Sequence, residues 1–136
     1  AHFFPRSPSG KIMQNKRGAP NARTQAVREM KSTTSGHLQG KDHHEQQLQD
    51  RRICSLIAGS AYLHEETYLT NQGTAYWRGA IMKYEVMGGE YDPLPLSLSF
   101  LCRKYEGLPL GEFMEKTHPD TYKNSPYLQR QRSKGA

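Results

Sequence analysis

His37, His43 and His44 fall within eight residues of one another, beside Asp42 and Glu45, and imidazoles grouped with carboxylates are the raw material of a zinc site. No Cys-x-x-Cys or His-x-x-x-His spacing accompanies them, so a run of solvated polar residues is the plainer reading. Nucleophilic catalysis by serine or cysteine has no elbow motif here, and phosphate-cradling Gly-x-Gly loops are absent. Cys54 and Cys102 each sit in an apolar run, where a reduced thiol behaves as a small hydrophobe, so two buried free thiols are expected. Tyr62, Tyr68, Tyr76, Trp77 and Tyr84, with Arg78, have the chemistry to stack on nucleic-acid bases. Packing of a sheet accounts for the same residues more simply.

The charge is uneven. Of a net +6, residues 1–41 carry +7 (eight bases, Arg23 among them, against Glu29 alone), and the remainder carries −1. Such a segment can hold the phosphates of a substrate or of nucleic acid by salt-dependent attraction, or it can simply be a solvated arm. With 35% hydrophobic residues among 136, a large private core is not expected. No run of about 18 apolar residues occurs and no hydrophobic leader opens the chain, so neither a membrane span nor a secretion signal is expected, and a cytoplasmic setting is the default. A first residue other than Met fits a processed or trimmed chain.

These residues need elements to position them. Residues 1–5 are apolar enough to end a strand, and residues 6–20, punctuated by Pro and Gly, read as loop. Asn21 can cap a helix over 21–31, in which Ala22, Ala26, Val27 and Met30 make an apolar stripe. Residues 32–37 read as a short strand, 39–50 as a polar stretch, and 52–59 as a strand, from the near-continuous run Ile53-Cys54-Ser55-Leu56-Ile57-Ala58. Residues 60–74 read as irregular. Residues 77–86 and 91–105 alternate with period two about Gly88-Gly89 and predict an antiparallel hairpin, with Pro93 and Pro95 at an edge. Beyond 105, one short helix near 110–116 and an irregular basic extension over 106–136 are expected.

The order of these features resembles the second half of the calcineurin-like metallophosphoesterases, particularly those of phages and bacteria. It consists of Ala1-His2-Phe3-Phe4, then Asn21-Ala22-Arg23 opening a helix, then Ser32-Thr33-Thr34-Ser35-Gly36-His37-Leu38-Gln39, then the segments from Arg52 and from Trp77. The resemblance covers residues 1–105. It implies an α/β fold, the carboxy-terminal portion of a two-sheet sandwich with an antiparallel hairpin and extended ends. It also implies two divalent metal ions (manganese, zinc or iron), which polarise a phosphoryl group and generate the attacking hydroxide.

By the resemblance, His2 matches the strand-end ligand and His37 the first His of the family's Gly-His-x-His turn. Gln39 stands where the second His belongs and would be a weak ligand or a donor to one, and Arg23 would contact phosphate. The Asp-x-His, Gly-Asp-x-x-Asp and Gly-Asn-His motifs of the family's first half have no counterpart in a fitting context; Asp42-His43-His44 matches only as letters. The implied function is therefore hydrolysis of a phosphomono- or phosphodiester by part of an enzyme, inert until an amino-terminal half supplies the carboxylates. The alternative is a non-enzymatic basic protein that binds nucleic acid or joins a larger assembly.

Overall fold

The computed structural model describes residues 21–36, 38–64 and 76–132. Among them the chain is mixed α/β, with a three-stranded sheet, a two-stranded sheet and five helices. They divide into two compact units, drawn from Ala1–Ser60 with Ile81–Pro95 and from Ala61–Ala80 with Leu96–Ala136. The expected strand end at 1–5 and loop at 6–20 lie outside the described residues, as do residues 65–75 of the expected irregular segment. Among the described residues no helix is long and apolar enough to cross a membrane.

The first unit opens with α1 (Ala22–Glu29), where the Asn21 side chain accepts the Thr24 N–H at 3.1 Å and Met30 closes the helix in the left-handed region. Three strands follow: β1 (Thr33–Ser35), β2 (Asp42–Gln47) and β3 (Arg52–Ile57), ordered β1-β3-β2, with β1 parallel and β2 antiparallel to β3. β3 is central and buried from Ile53 through Ile57, which is why its sequence is nearly all apolar. Ile53, Ser55 and Ile57 share the face turned to α1, while Cys54 and Leu56 turn the other way and pack with Tyr91 and Ile81 of the hairpin. β2 corrects the expectation of a merely polar stretch over 39–50. Asp-His-His-Glu-Gln-Gln has no apolar alternation, and it is a strand because the ladder to β3 satisfies its backbone at a sheet edge.

The hairpin is β4 (Gly79–Met87) and β5 (Glu90–Ser97). Gly88 and Gly89 both have positive φ, 60° and 88°, the geometry of a two-residue turn that only antiparallel strands can share. The two faces of β4 alternate as expected through Tyr84, beyond which Glu85 at φ 49° breaks the pleat, but the more apolar face is not the buried one. Ile81 and Lys83 turn inward, while Met82, Tyr84 and Val86 are about half exposed or more, as is Leu94 of β5 at 44%. The Lys83 ammonium donates to the Thr34 hydroxyl and lies 4.2 Å from the Tyr91 ring centroid. Arg52 ties the hairpin to the sheet through Glu90 and Asp92, and reaches Glu45 of β2 as well.

The expected strand over 91–105 is corrected at Ser97. Its side chain accepts the Phe100 N–H at 3.1 Å and starts α2 (Leu98–Glu106), which ends at Gly107 with φ 70°. Leu98, Leu101, Cys102 and Tyr105 fall at i, i+3, i+4 and i+7. Of the face read as alternating, Leu98 and Cys102 also lie on this helical stripe while Phe100 leaves it, and the cap chooses between the two periods. The irregular extension over 106–136 is corrected in the same way. α3 (Leu110–Thr117), where a helix was expected, is joined by α4 (Pro119–Lys123) and α5 (Pro126–Arg130). Cys102, Leu110, Met114, Tyr127 and Leu128 form the core of the second unit. Both cysteines are free and buried.

Candidate functional site

In an open sheet with parallel strands, the segments leaving the strands' carboxyl ends are where functional groups gather. In the first unit that end is made by β1 and β3. Thr33, Thr34 and Ser35 pair with Ser55, Leu56 and Ile57, and beyond the strands the Ala58 N–H donates to the Ser35 carbonyl at 3.0 Å. The segment Gly36-His37-Leu38-Gln39 begins where β1 stops. Gly59 has φ +79°, and a Cβ there would stand 3.1 Å from the Lys41 Cβ, so the chain leaving β3 passes directly against the chain entering β2.

α1 begins at this same end. Its first turn carries no acid of its own, and the Ala22 N–H instead donates to Asp42 Oδ2 at 2.7 Å. Asp42 pairs with Ile57, the last residue of β3, so this bond pins the helix amino terminus to the carboxyl end of the sheet. It also sets a carboxylate against the positive end of the helix dipole. Arg23, the next residue, is exposed in the first helical turn. Gln39 is half-buried with its Oε1 shut off from solvent, three residues before Asp42.

Beneath this end lies a polar network that sequence reasoning missed. Gln25 is 1% exposed; its Nε2 donates to Ser35 Oγ at 3.1 Å and its Oε1 accepts from Thr33 Oγ1 at 3.3 Å. Thr33 and Ser55 share a hydroxyl contact at 2.8 Å. A glutamine within the stripe Ala22, Ala26 was the available signal, since an amide among inward-facing alanines must find partners when buried.

Of the four residues singled out from sequence, Arg23 and Gln39 belong to segments that meet at this sheet end, whereas His2 and His37 lie outside the described residues. Asp42, set aside in the sequence as a chance match, is the residue that anchors α1. The His37, His43, His44 grouping fares differently. His43 pairs with Leu56 and His44 with Ser55, so the two adjacent imidazoles leave opposite faces of β2 and cannot share an ion. His43 faces the hairpin, its ring 6.1 Å from that of Tyr91 and its Nε2 3.7 Å from Glu45, and burial pushes its pKa below the ordinary value. Among the described residues no three His, Cys, Asp or Glu side chains converge so as to hold a metal.

Of the aromatic group, Tyr62 packs against Arg78, whereas Tyr84 is 48% exposed. Arg78 is 1% exposed in the second unit, its guanidinium 4.0 Å from the Tyr127 ring centroid and 5.3 Å from that of Tyr62. Tyr68 lies outside the described residues. The chain matches no protein-family model, no curated protein and no solved structure.

Proposed function

We propose that this chain is the carboxy-terminal portion of a calcineurin-like metallophosphoesterase, hydrolysing a phosphomono- or phosphodiester once an amino-terminal half completes the site. The observation that carries the reading is the sheet end just described: the Gly36-His37-Leu38-Gln39 segment leaves the carboxyl end of a strand parallel to its neighbour, and the helix bearing Arg23 starts at that same end. The two-sheet arrangement and the hairpin following β3 support it further. His2 and His37 would hold a divalent ion, manganese, zinc or iron, with Gln39 as a weak ligand, and Arg23 would meet the phosphate. The ions supply charge stabilisation and a nucleophile at neutral pH. This chain's own part is to present neutral ligands on a sheet end braced by Asp42 and Gln25.

The test is calorimetric titration of the metal-stripped chain with manganese and with zinc, beside His37→Ala. Binding that disappears on substitution, and metal-dependent phosphodiesterase activity that appears on adding an amino-terminal fragment carrying the missing carboxylates, are the expected results. Identical titrations of the two proteins, with no activity on mixing, would overturn the proposal.

A second reading, a non-enzymatic protein that joins a larger assembly, is favoured by one observation. The outer face of the hairpin exposes Met82, Tyr84, Val86 and Leu94, an apolar surface suited to another polypeptide. Metal-independent association that Val86→Glu abolishes, without any phosphoesterase activity, would select it.

A further inference from the structure

We propose that α2 carries a docking surface for single-stranded nucleic acid. Phe100 is 41% and Tyr105 72% exposed, although rings of that size are ordinarily drawn into cores. Between them stands an ammonium: Lys104 Nζ lies 5.9 Å from the Phe100 ring centroid and 5.5 Å from that of Tyr105. Arg103, the preceding residue, is also exposed. Tyr105 further lines an open apolar groove of about 280 Å³ between α2 and α3, walled by Leu98, Leu101, Phe113 and Leu63, with room for one base.

Two rings flanking a cation, with a second cation beside them, match a polymer that alternates flat bases with phosphates. A purely apolar peptide has no use for the two cations, and a purely anionic partner has no use for the rings. A duplex fits poorly, because its bases are already stacked on one another and cannot lie on Phe100 or Tyr105. Glu106, the one acid of α2, also lines the groove. The surface is distinct from the aromatic residues noted in the sequence: none of Tyr62, Tyr68, Tyr76, Trp77 and Tyr84 belongs to it, and it arises only because residues 98–106 are helical.

The experiment is fluorescence anisotropy of the full chain with a labelled oligothymidylate of about 15 nucleotides, and with a duplex of equal length, in chelator at about 50 to 200 mM salt. Single-strand binding that exceeds duplex binding is expected. Phe100→Ala with Tyr105→Ala should weaken it about tenfold or more, Tyr105→Trp should retain it, and Lys104→Gln should lower the salt dependence by about 0.7 in log–log slope. Because the basic segment 1–41 is intact in every variant, an unchanged affinity after removing both rings would assign all binding to that segment and overturn the proposal. Equal affinity for the duplex, or no binding at the lowest salt, would overturn it too. No metal is present, so failure here leaves the phosphoesterase reading to its own titration.

Discussion

Replacing Gln25 by leucine isolates the buried network under the candidate site, because the two side chains are similar in size and little cavity is created. The substitution removes the bond from Nε2 to Ser35 at 3.1 Å and the one from Thr33 to Oε1 at 3.3 Å. Thr33 keeps its 2.8 Å contact with Ser55, so it is not stranded. Ser35 is the residue left in difficulty: it is 1% exposed and retains only a 3.5 Å contact to the Leu56 carbonyl. A lost hydrogen bond is worth about 1 kcal/mol and a stranded buried hydroxyl about 1–3 kcal/mol, against roughly 1 kcal/mol regained by burying leucine. The expected net loss is about 2 kcal/mol. In urea, with a slope of roughly 2 kcal/mol per molar, the midpoint should fall by about 1 M. Adding Ser35→Ala removes the stranded hydroxyl, so the double variant should be more stable than Gln25→Leu alone. A midpoint unchanged in Gln25→Leu, or a double variant whose loss is the sum of the two singles, would refute the account of how α1 is held to the sheet.

Two pH dependences follow from the same unit. Burial lowers the His43 pKa, with Glu45 and Asp42 opposing that shift and His44 and Arg52 adding to it. The folded state therefore resists protonation, and as pH falls through the ordinary imidazole value near ~6.5 the unfolded chain takes up the proton first. Stability should decline over that range, and His43→Gln should flatten the decline in denaturation series between neutral and mildly acid pH. Tyr91 behaves as an acid of the opposite kind, its pKa pushed up to about 12 chiefly by burial. An unfolded tyrosine ionises near ~10, so stability should fall as pH rises above that value, and Tyr91→Phe should lessen the fall. Ultraviolet titration should show fewer phenols ionising near ~10 in the folded wild type than in denatured protein, because burial raises Tyr127 as well as Tyr91.

Several elements were legible in the sequence because their signals are local. Asn21 before an apolar stripe makes α1, the near-continuous apolar run from Ile53 through Ile57 reads as a strand, and Gly88-Gly89 between two alternating runs makes the hairpin turn. Each depends on backbone conformation and periodicity within about ten residues. Arg23 and Gln39 were likewise singled out from the sequence, but that their segments meet was not, because it rests on the parallel pairing of residues 22 positions apart and on the Ala22 to Asp42 bond. Only the tertiary structure decided that Asp42–Gln47 is a strand, since a polar edge strand has no pattern of its own and exists through its partner's ladder. Tertiary packing also chose Ile81 and Lys83 over the more apolar Met82, Tyr84 and Val86 as the buried face of β4. At Ser97, a side-chain cap and the core of Leu110, Met114 and Leu128 turned an alternating run into α2. Period two and period 3.6 overlap at i and i+4, so Leu98 and Cys102 satisfied both, and the core available to receive them settled which period was realised.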